Sequence, residues 1–416
     1  VPETRASCDL AIVGAGAAGI MAAITAGRAA RRSRAVRSIV LLDGAATLGA
    51  KILVAGGGRC NVTHDVVDER AFAGSTPASI RKVLRRFTVD DTIEFFRELH
   101  VTLKREETGK LFPTTDRART VLDALLRAAR EAGVEIVHPW RVENVTRTGR
   151  GFRIEGKAGA VSAPRVILAT GGKALPKSGS DGHGYELARR LGHTTTERIL
   201  PGLVPLVLAE SCFVRKLTGL TLPATIALRS STGKVLRAFT GSTLCTHFGL
   251  SGPPVLDLSR YWLHARLDDP SAHLTVDWLP ARELAWIPGR SIGSSLRALI
   301  PERMADALAR EAGVDPGTQF DRLSREARNA LTQAIRAYRL PVTGDRGFTF
   351  AEVTAGGVPL AELSLDTLES RLCPGLSLVG EILDVDGMIG GYNFQWAWAS
   401  GFVAGSSVGS TVPLFS

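Results

Sequence analysis

A chain of 416 residues, 44% hydrophobic and 22% charged, is too long for one hydrophobic core and too apolar for extended disorder, so two or more packed units are expected. A net charge of +10 is unusual for an enzyme of small molecules and admits a polyanionic partner; arginines cluster at Arg28, Arg31, Arg32, Arg34 and Arg37, and again, with Lys82, at Arg81, Arg85 and Arg86, although a solvated basic surface is the plainer reading. The five cysteines, Cys8, Cys60, Cys212, Cys245 and Cys373, are scattered, with no CxxC pair and no Cys/His spacing for zinc, which points to a reduced, cytoplasmic chain without a structural metal.

Asp9 to Val13 is a short apolar run ending at glycines and suits a buried parallel strand; Ala17 to Arg28 suits a helix, and Ser38 to Asp43 a second strand. The apolar run Leu10 to Ala26 does not read as a secretory segment, because Asp9 precedes it, a basic leader is lacking and three glycines interrupt it at motif spacing. No other stretch reaches the ~18–20 apolar residues of a membrane span, so a soluble chain is expected. Its first residue, Val1, suggests that the native chain begins upstream.

Helical patterns follow at about Val89 to Leu99 and Thr120 to Ala132, then a strand at Val134 to Val137 and alternating segments around Phe152 to Ile154. Arg165 to Ala169 reads as another buried strand ending in Thr170-Gly171-Gly172, and a helix is expected around Tyr185 to Leu191. From Pro201 the texture turns to short β-type runs, VPLVL, ATIAL and KVLRAF, separated by Gly, Ser and Pro: an inserted antiparallel unit. Residues 296–338 are helical, with prolines at 280, 288, 301, 316 and 341 around them, and the last segment gives a strand, a glycine-rich turn and a helix that return to the first domain.

Gly14-Ala15-Gly16-Ala17-Ala18-Gly19 is a GxGxxG set between strand and helix. Its glycines permit a tight turn, the approach of a pyrophosphate, and close helix–strand packing, and the phosphates meet free amides at the helix N-terminus. Alone the motif is weak. It gains weight from Asp43, 24 residues after Gly19, where a carboxylate accepts hydrogen bonds from both ribose hydroxyls and disfavours a 2′-phosphate; the plainer alternative is that Asp43 caps a turn before Gly44. The segment Lys51 to Val62 (KILVAGGGRCNV) is less generic: three glycines allow a flat or phosphorylated ligand near the backbone, and Arg59, Cys60 and Asn61 put donors and a thiol beside it.

With GAGAAG, KILVAGGGRCNVTH, ATGG, THFGLSGP and GEILDVDGMIGGYNFQWAWASG in order from residue 9 to about 405, the chain resembles the BaiN/RdsA family of NAD(P)/FAD-dependent oxidoreductases. The resemblance implies an α/β fold: a Rossmann-like FAD-binding domain from both chain ends (1–200 and 357–416), interrupted by a β-barrel-like domain (201–278 and 341–356) that carries a helical subdomain (279–340). It implies non-covalent FAD. Gly14, Ala15, Gly16, Ala17, Ala18, Gly19, Asp43 and Gly44 are then expected at the pyrophosphate and adenosine ribose, Val142 at the adenine, and Ala169, Thr170 and Gly171 over the same half. Lys51, Gly57, Gly58, Arg59, Cys60 and Asn61 are expected beside the flavin, Gly380 and Glu381 at the ribityl chain, and Gly391, Tyr392 and Asn393 at the helix start aimed at the pyrimidine ring.

Flavin chemistry requires a proton donor, for which Cys60, His247, Tyr392 and Glu381 are the candidates. Cys60 draws attention because adjacent Arg59 would lower its pKa, although a packed thiol is as common a reading. His247 sits in a glycine-rich hinge of the inserted domain and is equally read as a core histidine in a tight turn. There is no second GxGxxG for a separate NAD(P) domain, so NAD(P)H is expected to visit transiently as reductant. The leading substrate implied by the resemblance is a uridine of large-subunit ribosomal RNA, reduced to dihydrouridine; a small-molecule ketone or enone is the alternative, and a non-catalytic flavin-binding protein comes third.

Overall fold

The computed structural model describes residues 6–33, 36, 38–284, 286 and 289–410; Arg34, Arg37 and Pro288 lie outside the described residues. The chain divides into two compact units, Val1–Leu200 with Val353–Ser416, and Pro201–Glu352. The return to the first unit comes at Val353, not at 357. Residues 353–356 are drawn there because the Thr354 hydroxyl accepts hydrogen bonds from the Lys173 and Ala174 amides (2.7 and 3.0 Å).

The first unit runs Leu10–Val13 (β1), Ala17–Ser33 (α1), Ile39–Leu42 (β2), Ala50–Gly58 (α2), Pro77–Leu84 (α3), Val89–Glu98 (α4), Ala118–Glu131 (α5), Val134–Val137 (β3), Arg165–Leu168 (β4), His183–Arg190 (α6), Leu376–Leu378 (β5) and Tyr392–Ser410 (α7). The five strands form one parallel sheet in the order β5-β4-β1-β2-β3. Every residue of β1, β2, β4 and β5 is buried, which is why LAIV, IVLL and RVIL show no alternation: parallel strands are covered on both faces. From β1 the chain steps outward to β2 and β3, then returns to β4 on the other side of β1. That reversal opens a crevice at the carboxyl ends of β1 and β4, where open α/β sheets bind ligands. An antiparallel sheet of Asn144–Thr148, Gly151–Gly156 and Gly159–Ala163 forms part of the return.

Helix α7 lies against α1 with almost no side chain between them. A Cβ on Gly401 would stand 2.5 Å from the Ala18 carbonyl oxygen, and one on Gly405 would stand 2.3 Å from that of Ala22. The glycines of the last helix are thus requirements of close approach. Helix α4 opens with a capping box in which Thr88 and Asp91 each satisfy the other's amide.

The second unit holds a seven-stranded antiparallel sheet ordered Tyr338–Leu340, His273–Asp277, Thr221–Arg229, Val235–Cys245, Gly249–Ser251, Leu206–Leu208 and Val342–Asp345. Its two edge strands follow one another in sequence across Pro341, so the sheet curls towards closure. The stretch read as helical is three helices, Ile292–Arg297, Glu302–Glu311 and Arg325–Arg336. Leu296, Met304, Leu308, Leu331 and Ile335 are fully buried in one core with Ile226, Leu274 and Val276, so helices and sheet stabilise each other.

Among the described residues, most members of the basic clusters have a partner. Arg28 meets Glu98, Arg31 reaches the Glu131 carbonyl, Arg81 meets Glu69, and Lys82 and Arg86 share Asp366. Among the described residues no helix is long and apolar enough to cross a membrane.

Candidate active site

The glycines of the β1–α1 loop divide into two kinds. A Cβ on Gly14 (φ 104°) would lie 2.4 Å from the Ala169 carbonyl oxygen, and one on Gly19 would lie 1.8 Å from that of Gly14; the protein itself demands both. A Cβ on Gly16 would meet nothing within 4 Å. What Gly16 leaves open is space outside the protein, at the N-terminus of a helix whose first turn carries no acidic residue.

Asp43 accepts the Ala15 amide on Oδ2 (2.6 Å) and the Ala45 amide on Oδ1 (2.7 Å), so it both caps the turn at Gly44 and braces the glycine loop. A carboxylate has about four acceptor sites, which leaves room for two hydroxyl donors. Its carbonyl accepts the Trp140 amide at 2.6 Å, bringing the Trp140–Val142 segment alongside β2; Val142 is buried, and Gly44 has no Cβ because Arg141 Cβ would stand 3.0 Å from it. Nearby, His138 Nδ1 and Trp140 Nε1 are buried with no partner among the described residues.

At the end of β4 the Ala169 amide donates to Val13 O (2.8 Å), closing the segment over the glycine loop. Thr170 Oγ1 and Ser180 Oγ are buried and have no partner among the described residues, and Gly171 (φ 72°) turns the chain after Thr170.

Past β2, Gly49 in the left-handed region starts α2, which carries Lys51 before Ala55 turns extended and Gly56 and Gly57 turn left-handed. Gly57 has open space where a side chain would be, and a Cβ on Gly58 would touch the Leu53 carbonyl oxygen at 3.8 Å. Lys51 Nζ donates to Glu381 Oε2, and Glu381 Oε1 accepts from the Thr354 amide and hydroxyl, both at 2.9 Å. All three donors treat Glu381 as an acceptor, so it is not placed to give up a proton. Gly380 donates its amide to Ser400 Oγ (3.0 Å), and its missing Cβ would stand 2.8 Å from Ala18 Cβ in the first turn of α1.

The expectation that adjacent Arg59 lowers the Cys60 pKa is corrected. The side chain is fully buried, and burial pushes the thiol up to about 12, the reverse of activation. Arg59 does not lower it because its guanidinium is engaged elsewhere, with Glu106 (2.6 Å) and Asp116 (3.7 Å) and over the Phe112 ring. Asn61 is buried, and its Oδ1 has no partner among the described residues.

At the start of α7, Gly391 (φ 100°) passes so close to Thr63 that a Cβ would stand 2.5 Å from its carbonyl carbon. Asn393 pins the turn by accepting the Gly387 amide (2.7 Å) and donating to its carbonyl (2.9 Å). The half-buried Tyr392 stacks on His64, with centroids 4.9 Å apart. His64 was not singled out from the sequence, although it closes the KILVAGGGRCNVTH segment; its ring is held between Asp65 (2.9 Å) and the Thr108 carbonyl (3.0 Å). Gln395, also missed, accepts from the Thr63 and Thr92 hydroxyls (2.7 and 2.9 Å) and donates to the Phe87 and Thr88 carbonyls. It borders a cavity of about 280 Å³, lined also by Asp68, Arg81, Arg85 and Thr88 and by no residue of the glycine loop.

His247 belongs to the second unit, in the turn between the strands Val235–Cys245 and Gly249–Ser251. Its side chain is exposed against Phe248, and its carbonyl accepts from Arg215 (2.8 Å), so it is a turn residue and not a core histidine.

Residues 8–407 match the HI0933-like protein Rossmann domain. The chain belongs to that family, the BaiN/RdsA oxidoreductases that depend on FAD. It is 36% identical to the 3-dehydro-bile acid delta(4,6)-reductase of Clostridium scindens over 95% of this chain and 98% of the relative. It is 33% identical to the ribosomal RNA dihydrouridine synthase of Escherichia coli over 94% of this chain and 96% of the relative. Among solved structures, 3-ketosteroid delta1-dehydrogenase from Sterolibacterium denitrificans shares the fold at 14% identity, with a TM-score of 0.52 over 97% of this chain and 100% of that one.

The residues present fit FAD. Gly16 opens onto free space at a helix N-terminus, and Asp43 keeps acceptor capacity for ribose hydroxyls. Asn61, His138, Trp140, Thr170 and Ser180 carry buried polar atoms that no described residue satisfies. Buried polar atoms without partners are costly, and several gathered at one sheet edge are accounted for by a polar group that docks there.

Proposed function

We propose that this enzyme reduces a carbon–carbon double bond conjugated to a carbonyl, with a uridine of ribosomal RNA as leading substrate. The observation that carries the reaction type is a chemistry common to the names of two relatives: a 3-oxo steroid acid with unsaturation at positions 4 and 6, and a uracil ring saturated to dihydrouracil. In both, a hydride adds to a carbon in conjugation with the carbonyl, at the β position or, for the 6-ene of the dienone, at the vinylogous δ position, and a proton goes to the neighbouring α or γ carbon. Bound FAD, reduced in turn by a transient NAD(P)H, supplies the hydride.

The chain's own residues supply the rest. Gly14 to Gly19 with Asp43 hold the pyrophosphate and ribose; Lys51, Glu381 and the Gly57–Asn61 segment flank the flavin. Tyr392, at the N-terminus of α7, is the proton donor. Cys60 is too deeply buried for that task, Glu381 is committed as an acceptor, and Tyr392 carries an O–H at the helix end expected to face the flavin.

The net charge of +10 favours the RNA reading, whereas the 36% identity to a bile-acid reductase favours a steroid-like enone. The test is anaerobic reduction of the holoenzyme by NADPH, then reoxidation by unmodified ribosomal RNA or by a panel of enones, followed at the flavin band. Reoxidation by RNA with dihydrouridine appearing, slowed steeply by added salt, supports the RNA reading. Brisk turnover of enones with uridines untouched replaces it by the small-molecule reading.

A further inference from the structure

Three strand ends on the carboxyl edge of the parallel sheet feed one polar network. Lys51 follows β2, Lys173 and Ala174 follow β4, and Glu381 follows β5. Thr354, from the segment that re-enters this unit, joins them: its hydroxyl donates to Glu381 and accepts the Lys173 and Ala174 amides. The chain gives up a side chain to make room, since a Cβ on Gly172 would stand 2.3 Å from Thr354 Oγ1 and 2.9 Å from Glu381 Oε1. Gly380, one residue before Glu381, touches the first turn of α1, so the network borders the dinucleotide loop.

The Lys51 and Glu381 side chains are 27% and 17% exposed. Desolvating such a pair offsets most of its attraction, so stability alone is a weak reason for it. Glu381 takes one of the three ammonium hydrogens, and the other two remain for a further acceptor at this edge of the sheet. A fixed cation in a partly desolvated site acts strongly on any group whose charge changes there. The flavin is the group that changes charge.

We propose that Lys51 tunes the redox potential of the bound flavin, and that Glu381 and Thr354 are positioning residues that hold its ammonium in place. The inference rests on FAD binding at this edge and on no choice of substrate.

The test is potentiometry of the purified holoenzyme against a reference dye, with a sulfite titration, because a nearby positive charge stabilises both the reduced flavin and its sulfite adduct. Lys51→Met is expected to keep its FAD, to lower the midpoint potential and to weaken sulfite binding at least tenfold; Lys51→Arg should stay near the parent. Glu381→Gln leaves the cation uncompensated and should move the potential the opposite way. The proposal is overturned if Lys51→Met leaves potential and sulfite affinity unchanged, if both substitutions shift the potential in one direction as a structural disturbance would, or if Lys51→Met purifies without FAD, which would make Lys51 an anchor. Should the Glu381 variant not fold, the two Lys51 variants decide. None of these readouts uses a substrate, so failure of the RNA or enone reading leaves them standing, whereas a parent protein that takes up no FAD would sink the functional reading itself.

Discussion

Gly19 sits so close to Gly14 that a Cβ on the first would fall 1.8 Å from the carbonyl oxygen of the second, whereas a Cβ on Gly16, between them, would meet nothing within 4 Å beyond its immediate chain neighbours. The two positions therefore fail in different ways. Gly19→Ala forces helix α1 away from the strand end and is expected to destabilise the fold by about 2–4 kcal/mol, within the range of severe steric changes. Gly16→Val should leave the melting temperature of the FAD-free protein near that of the parent while abolishing flavin retention. FAD content per chain and thermal melts of both variants check this; normal flavin in Gly16→Val would show that the pyrophosphate lies elsewhere.

Asp43 offers a second handle on the same site. Its two oxygens accept amides from Ala15 and Ala45, so an asparagine would turn an NH₂ group towards one N–H donor. Asp43→Asn is expected to weaken FAD binding roughly 10- to 100-fold, equivalent to about 1.4–2.8 kcal/mol, with a smaller loss of stability. Fluorescence titration of the apoprotein with FAD measures it. An unchanged affinity would assign Asp43 to the turn alone.

The first strand, glycine turn, helix and second strand were legible from the sequence because everything that defines them is local and falls, with Asp43, within one short stretch. What escaped depends on distant partners. The glycines of α7 look permissive for a helix until α1 is found pressed against them, and Thr354 looked like part of the inserted unit until its hydroxyl met Lys173 and Ala174. Gln395 and His64 gave no signal either, since a glutamine in a helix is ordinary until Thr63, Thr92 and Phe87 surround it. The effect expected of Arg59 on Cys60 failed because adjacency in sequence did not place the guanidinium near the thiol; Phe112, Glu106 and Asp116 take it instead.

The buried Cys60 thiol carries a pH signature. Its folded value is raised from 9.0 to about 12 by burial. Below pH 9 both folded and unfolded thiols are protonated and the contribution is fully present. Between pH 9 and about 12 the unfolded thiol ionises first, the unfolded state binds fewer protons, and stability falls as pH rises, by at most about 1.4 kcal/mol per pH unit for one thiol. Cys60→Ala should flatten the decline of the urea midpoint above pH 9 while leaving turnover within about twofold. A large loss of turnover in a variant that still binds FAD would return Cys60 to the chemistry.

Tyr392 is the counterpart. If its hydroxyl delivers the proton, Tyr392→Phe keeps the stacking on His64 and removes only the O–H. The oxidative half-reaction with the substrate should slow about 10²-fold or more, and reduction of the flavin by NADPH should be unchanged. Stopped-flow traces of the two half-reactions separate them. Equal slowing of both would point to a disturbed α7 terminus instead of a lost proton.

Gln395 tests how rigidly that terminus must be held. Its amide links α7 to the Thr63 hydroxyl before it in space and to Phe87, Thr88 and Thr92 at the start of α4, and it is almost fully buried. Gln395→Leu removes all four hydrogen bonds at once. Thr92 keeps its bond to the Thr88 carbonyl (3.0 Å), but the Phe87 carbonyl loses its side-chain donor and Thr63 its best acceptor. The expected cost is about 2–4 kcal/mol, because buried polar groups left without partners forfeit their full desolvation. Since Gln395 is only three residues beyond Tyr392, the loosening should also lower the substrate half-reaction by more than it lowers FAD affinity. Urea melts together with stopped-flow measurements on this one variant decide the matter: a stability loss with unimpaired turnover would mean that the helix start tolerates play, and that contacts outside the Gln395 network, His64 and Phe72 among them, suffice to align Tyr392.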